Sequence, residues 1–307
     1  MIASSVLDLI GNTPLVELAK LSPPGRTIYA KLEGQNPTGS IKDRVALAMV
    51  EAADLKPGQE LLEPTSGNTG ISLALVAKLK GLKLTCVMPA NATPERRALL
   101  ELYGATIIES PGELGSNGAV RMAQEIVERD DRYVMLFQYG NEANPRAHYE
   151  GTGAEIAREL PRVDALVAGL GTGGTLMGTG ARLREAFPGV QIVAAEPLPG
   201  DPVMGLRSLE DGYVPPILDI AKLDRKVLVS NEESVAAVRV LLDREGLFAG
   251  VSSGAVVHVA RRIADELPEG STVVAVLADG GWKYLSTGAY SGSLQQAAEK
   301  LEGQLWA

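Results

Sequence analysis

Ala165-Leu166-Val167-Ala168-Gly169-Leu170-Gly171-Thr172-Gly173-Gly174-Thr175 decides the fold, because an apolar strand runs into a glycine-rich turn and leaves it on a helical pattern. A strand followed at once by a helix is the first half of a βα unit. Gly169 to Gly174 formally matches G-x-G-x-x-G, and Glu196 follows at the distance of roughly 20 residues at which a ribose-binding acid stands. A nicotinamide dehydrogenase is therefore one reading. Any phosphate, however, is held by glycine-freed backbone N–H groups at a helix N-terminus, so the motif identifies an anion site and not the molecule in it. A bare strand-to-helix turn is the third reading.

The same alternation extends outward through most of the chain, which predicts an α/β fold built on parallel sheets. Strands are expected at Thr27–Lys31, Glu60–Pro64, Lys83–Met88, Ala105–Glu109, Tyr133–Gln138, Ala165–Gly169, Gln191–Ala195 and Thr272–Leu277. Thr93 and Pro94 carry the cap and first-turn proline of one helix that Gly104 ends, and Asn231 is expected to cap another running toward Gly246. Ser40 and Asp43 fit an [ST]-x-x-[DE] cap before Val45, Ala46, Met49 and Val50 at helical spacing, which places Lys42 in a first turn. Asp43 and Arg44 then read as a local charge pair.

At 307 residues the chain exceeds one ordinary compact core, so two domains or one large one are expected. Its 29 basic residues are outnumbered by 38 acidic ones and scattered without runs, which argues against nucleic acid as a partner. No leader-like N-terminus and no apolar run of membrane-spanning length is present, so a soluble, cytoplasmic protein is expected. One cysteine, Cys86, and two histidines, His148 and His258, cannot assemble a disulfide or a Cys/His metal site, and Cys86 reads as a small buried hydrophobe.

Two further motifs carry chemistry. In Asn36-Pro37-Thr38-Gly39-Ser40-Ile41-Lys42-Asp43-Arg44 the lysine sits at a helix start, where a neutral amine can form a Schiff base with an aldehyde cofactor. Thr65-Ser66-Gly67-Asn68-Thr69-Gly70 offers hydroxyls, an amide and backbone donors between a strand and a helix, a natural host for a carboxylate. Gly250-Val251-Ser252-Ser253-Gly254 opens another helix; a serine hydroxyl facing a pyridine nitrogen would favour elimination over transamination. Ordinary turns, caps and a surface lysine remain the bland alternatives for each motif taken alone.

Together the motifs resemble the cysteine synthase family of fold type II pyridoxal phosphate enzymes, from Gly11-Asn12-Thr13-Pro14-Leu15 to the C-terminus. The resemblance implies two domains, each with a mainly parallel twisted sheet flanked by helices: a larger cofactor-binding domain of residues 1–38 and 143–307, and a smaller mobile substrate-binding domain of residues 39–142. It implies that Lys42 is the Schiff-base lysine, Asn68 bonds the cofactor's 3′-oxygen, Gly171, Thr172, Gly173, Gly174 and Thr175 hold its phosphate, and Ser252 meets its ring nitrogen. Thr65, Ser66, Thr69 and Gln138 would bind the substrate carboxylate, and the protein would be a homodimer. The implied reaction is β-elimination from an O-activated serine to an aminoacrylate, followed by sulfur addition to give cysteine. Cystathionine β-synthase and serine/threonine dehydratase chemistry share the same lysine and loop.

Gly205-Leu206-Arg207-Ser208-Leu209-Glu210-Asp211-Gly212-Tyr213-Val214-Pro215 departs from the uncharged stretch usual for O-acetylserine enzymes. Arg207 would suit a dianionic phosphate, or else sits at the surface paired with Glu210 or Asp211. With Gly281-Trp282-Lys283-Tyr284-Leu285-Ser286-Thr287 and the Gly303-Gln304-Leu305-Trp306-Ala307 ending, it resembles the cysteine synthase B branch. That implies O-phosphoserine as donor, a thiocarboxylated small carrier protein or sulfide as sulfur source, and a C-terminal tail over the site.

Overall fold

The structure, a computed structural model, describes residues 2–65, 67–92 and 94–297. Ten strands follow in chain order: β1 Leu15–Glu17, β2 Thr27–Leu32, β3 Glu60–Pro64, β4 Leu84–Pro89, β5 Thr106–Ser110, β6 Tyr133–Met135, β7 Ala165–Gly169, β8 Gln191–Pro197, β9 Arg225–Val229 and β10 Thr272–Leu277. They form a six-stranded sheet of order β1-β2-β10-β7-β8-β9 and a four-stranded sheet of order β5-β4-β3-β6. Every pairing except β1 with β2 is parallel. β4 is buried along its whole length, as expected of a parallel strand covered by helices on both faces.

The helices are α1 Lys42–Ala52, α2 Asn68–Lys80, α3 Pro94–Tyr103, α4 Gly115–Arg129, α5 Ala143–Ala147, α6 Ala154–Glu159, α7 Gly174–Ala186, α8 Asn231–Glu245 and α9 Val251–Glu266, with a π-helical turn His148–Gly153 between α5 and α6. Alternation along the large sheet splits its two faces between different cores. Val167, Val193, Val273 and Ala275 pack on the side of α8 and α9, whereas Leu166, Ala168, Ile192 and Val274 pack with Leu176 and Leu183 of α7 on the other.

All eight expected strands are present, three of them (Glu60–Pro64, Ala165–Gly169 and Thr272–Leu277) with the expected ends and five with ends shifted by one to three residues, and two short edge strands, β1 and β9, were not anticipated. The largest difference is at β6, which stops at Met135 where the sequence suggested Gln138, because Phe137 adopts a left-handed φ of 54° that ends any strand. Two helix caps also differ. Ser230, not Asn231, caps α8 in a reciprocal box with Glu233, and Gly246 closes it with φ 70°. α1 has no side-chain capping box: Ser40 Oγ accepts only a long bond of 3.3 Å from the Lys42 N–H, and the Asp43 carboxylate turns back to the Thr38 N–H at 2.7 Å and the Ser72 hydroxyl at 2.5 Å. Nor do Asp43 and Arg44 pair with each other. Arg44 instead reaches Glu33 and Glu155, at 2.7 and 2.6 Å.

Candidate active site

In the six-stranded sheet the chain steps from β7 to β8 to β9 in one direction, and β10 returns to the other side of β7. In the four-stranded sheet β3, β4 and β5 step one way and β6 returns beside β3. A crevice opens outside the carboxyl ends of parallel strands at such reversals. Here one cavity receives both: Gly169, Gly171, Thr172 and Gly173 at and after the end of β7, Ala278 and Asp279 after β10, Thr65, Gly67, Asn68 and Thr69 after β3, and Gln138 and Tyr139 after β6 all line it.

Lys42 is the first residue of α1 and lines this cavity. The turn before it is stitched to the end of β10, where the Ile41 N–H donates to the Ala278 carbonyl at 2.8 Å. Burial pushes the Lys42 amine down to about 8, opposed by the negative charge of Asp279. The sequence motif did not reveal that opposing carboxylate. We expect reductive methylation of Lys42 by formaldehyde in the apoprotein, followed by mass spectrometry, to rise through pH 8, since only the neutral amine reacts; a rise delayed to the pH of ordinary surface lysines would contradict this environment.

The glycine loop meets the N-terminus of α7. Gly173 has φ 89°, a conformation open chiefly to glycine, and a Cβ on Gly174 would lie 1.9 Å from Asn144 Oδ1. These two glycines let the backbone turn its N–H groups toward an anion without a side chain in the way. The Thr172 hydroxyl accepts from Asn144 Nδ2 at 3.1 Å, and Thr175 Oγ1 lies 3.3 Å from His148 Nε2. His148 is fully buried and held well below its ordinary value, by burial first and then by the charges of Lys42 and Arg44, so it is a neutral partner for Thr175. Ser252, in the first turn of α9, lines the cavity close to Gly205.

On the opposite wall the Thr65 hydroxyl accepts from the Gly70 N–H at 3.2 Å, and the Thr69 hydroxyl donates to Gln138 Oε1 at 2.7 Å. Asn68 donates through one N–H to Asp279 Oδ2 at 2.7 Å and accepts from Lys283 at 2.5 Å, which leaves its second N–H for a ligand oxygen. Ser66 lies outside the described residues, as does the Gly303 to Ala307 ending. The other residues assigned to the cofactor and substrate, Lys42, Thr65, Asn68, Thr69, Gln138, Gly171, Thr172, Gly173, Thr175, Arg207 and Ser252, border the cavity, and Gly174, next to Gly173 in the chain, is buried.

Asp279, Tyr139 and Tyr284 were not anticipated at the site. Asp279 also accepts from the Tyr284 hydroxyl at 2.6 Å, while its Oδ1 is buried without a hydrogen-bond partner. The available signal was Leu277-Ala278-Asp279-Gly280-Gly281, an acid between an apolar strand and two glycines. Glu196 is elsewhere: buried, it accepts from the Leu209 N–H at 2.8 Å and pairs with Lys226 at 3.3 Å. The ribose-binding role on which the dinucleotide reading depended is therefore absent from this cavity. Cys86 is a fully buried wall of β4, its thiol pushed up by burial and by nearby Glu63.

Arg207 is only 3% exposed, so it is not the surface arginine of the bland reading. Its guanidinium lies against the adjoining rings of Tyr139 and Tyr213, 5.3 and 5.1 Å from their centroids, and makes long contacts of 3.3 and 3.5 Å to Ser116 and Asn117 of α4. Its Nε has no hydrogen-bond partner, and no carboxylate pairs with it among the described residues.

An amine lowered toward neutrality, a glycine cradle at a helix N-terminus, a serine hydroxyl and an apolar wall of Val256 and Val276 fit a flat pyridine aldehyde bearing a phosphate. A family model described as pyridoxal-phosphate dependent enzyme matches residues 6–279. The chain belongs to that family. This pyridoxal-phosphate enzyme is 42% identical to the cysteine synthase B of Pseudomonas aeruginosa, over 93% of this chain and 97% of the relative. Its structure is similar to that of an O-ureido-L-serine synthase, with TM-score 0.89 and 39% identity over 95% of this chain and 98% of the other. It is also similar to a cysteine synthase from Entamoeba histolytica, with TM-score 0.88 and 31% identity over 99% and 97% of the two chains.

Proposed function

We propose that this enzyme makes cysteine by β-replacement on an O-activated serine, and that O-phosphoserine is its preferred donor. The cysteine synthases among its relatives support the reaction class. The observation that carries the donor is Arg207: a buried guanidinium at the cavity, backed by two tyrosines, weakly bonded through its terminal nitrogens and without a carboxylate partner. A dianion there gains two charge-assisted hydrogen bonds and full charge pairing, whereas an acetyl ester offers the guanidinium only one neutral carbonyl oxygen.

When bound, the cofactor supplies an electron sink for charge left at the substrate Cα. The chain's own groups do the rest. Gly171, Thr172, Gly173, Gly174 and Thr175 hold the phosphate, Asn68 donates to the ring oxygen, and Ser252 meets the ring nitrogen with a hydroxyl too weakly acidic to protonate it fully. Thr65, Ser66, Thr69 and Gln138 orient the substrate carboxylate. The Lys42 amine carries the proton to and from Cα, which a group poised near pH 8 performs well. Closure of residues 39–142 against residues 1–38 and 143–307 would exclude water, with a homodimer as the working unit. Sulfur enters from a thiocarboxylated small carrier protein or from sulfide.

The test is kcat/KM for O-phosphoserine and O-acetylserine in the native enzyme and in Arg207→Ala. The substitution is expected to cost about 10- to 100-fold with O-phosphoserine and little with O-acetylserine, the worth of hydrogen bonds to a charged group. Equal values for both esters, unmoved by Arg207→Ala, reject the donor assignment. Homocysteine converted to cystathionine, or 2-oxo acid released without sulfur, would reassign the reaction within the fold.

A further inference from the structure

β3 and β6 pair in register as far as Leu62 with Met135, and the Leu136 N–H still donates to the Leu62 carbonyl at 3.0 Å. The ladder ends there. Beyond it the side chain of Glu63 takes over, its Oε2 accepting the Phe137 N–H at 2.6 Å and its Oε1 the Gln138 N–H at 3.0 Å. Phe137 and Asn12 are the only non-glycine residues with positive φ among the described residues, and such a conformation persists only where the surroundings hold it. Glu63 is completely buried, the penultimate residue of a strand that runs into the Thr65 loop. A carboxylate in the interior of a parallel strand is costly unless its oxygens are satisfied, and both are spent on this one corner.

The corner it holds joins two walls of the cavity. Gln138 accepts from the Thr69 hydroxyl through its side chain and from Asn144 Nδ2 through its carbonyl at 2.8 Å, and Asn144 in turn meets Thr172 of the glycine loop. We propose that Glu63 is a positioning residue for the donor substrate: by clamping the Phe137 and Gln138 amides it fixes the Gln138 side chain against Thr69, and so sets where the substrate carboxylate is bound. This rests on the reading that Gln138 binds that carboxylate. Burial pushes the Glu63 acid up to about 8, its two accepted amide bonds opposing; Cys86 on β4 and Tyr139 beyond β6 are the titratable groups that its charge reaches.

Steady-state kinetics of the holoenzyme test this with Glu63→Gln, Gln138→Ala and the double variant, with rates normalised to bound cofactor. Glu63→Gln replaces one acceptor oxygen by an N–H₂ that opposes a backbone N–H. It is expected to raise the donor's KM about tenfold with kcat within about twofold, and to add less than about twofold in the Gln138→Ala background. A role confined to stability would lower the melting temperature and leave the normalised KM alone. If Gln138→Ala raises KM and Glu63→Gln does not, or if the two effects multiply in full, the positioning role is overturned while the carboxylate reading stands. If Gln138→Ala leaves KM unchanged, the carboxylate reading fails and the inference falls with it. Should Glu63→Gln not fold, Glu63→Asp takes its place, and hydrogen exchange in the unmutated holoenzyme gives a direct readout: slow exchange at the Phe137 and Gln138 amides is expected, and fast exchange at both overturns the clamp.

Discussion

Lys42→Ala is expected to reduce turnover by at least about a thousandfold without unfolding the protein, because the two roles proposed for its amine, anchoring the cofactor and moving the Cα proton, each carry factors of hundreds or more. The structure adds a second, independent consequence. An amine lowered from 10.5 to about 8 by burial is a group whose charged form the fold disfavours. Below about pH 8 both the folded and unfolded chains hold the proton and the fold bears the penalty; between about 8 and 10.5 the unfolded chain binds the proton and the folded chain does not, so stability rises with pH across that window. Removing the amine removes the penalty. The apoprotein of Lys42→Ala is therefore expected to have a urea midpoint equal to or above that of the parent at pH 7, with the difference shrinking toward pH 10. Turnover within tenfold of the parent, or a midpoint well below it at pH 7, would contradict this account of Lys42.

The elements most readable from sequence were those whose signal is local. Gly169 to Gly174 lies between a strand and a helix because an apolar run, two permissive glycines and a helix start are all adjacent in the chain. The motif lysine, the Thr65 loop, the glycine loop and Ser252 each announced themselves in the same way, and the two strand-order reversals bring them to one cavity. What stayed hidden depended on partners far away in sequence. The Ser40–Asp43 spacing looked like a capping box, but Asp43 found Ser72, 29 residues on, and Arg44 found Glu155, 111 residues on. Tyr133 to Gln138 looked like one strand, since nothing in its composition shows that Glu63, 74 residues before Phe137, would capture the turn. Asp279 was hidden for a related reason: its place beside Lys42 follows from β10 pairing with β2 and from the Ser40–Asp279 bridge beyond it, which the order of strands along the chain does not announce. The β1 and β9 edges are short and half-exposed, so they lack the buried apolar run by which the interior strands are recognised.

Arg44→Ala is expected to destabilise the protein by about 3–5 kcal/mol, the cost of breaking a buried ion pair by removing one partner. Arg44 donates to both oxygens of Glu33 and to both of Glu155, at 2.6–2.9 Å, and Lys31, completely buried, pairs with Glu155 at 2.7 Å. Glu155 also accepts the Asn12 N–H at 2.9 Å, and Glu33 the Thr13 hydroxyl at 2.8 Å. The cluster thus ties the N-terminal Gly11-Asn12-Thr13 turn, β2, the start of α1 and α6 through one guanidinium, two residues from Lys42. Its removal leaves two carboxylates in the interior with a single ammonium, so the loss exceeds that of any one hydrogen bond. The pH dependence separates this cause from a simple cavity. Although burial alone would raise it, Glu155 is held down to about 2, chiefly by Arg44 and then by Lys31. A depressed acid contributes stability that is fully present above its unfolded value of 4.5 and lost as pH falls toward about 2. In Arg44→Ala part of that depression is gone, so the stability gap between parent and variant should narrow as pH is lowered from 5 toward 2.5 in urea unfolding. A gap that stays constant with pH would mean that the guanidinium acts by filling space and not by its charge. Arg44→Lys distinguishes the two further: it keeps the charge but one ammonium cannot serve four carboxylate oxygens, so it should recover the pH dependence and only part of the stability.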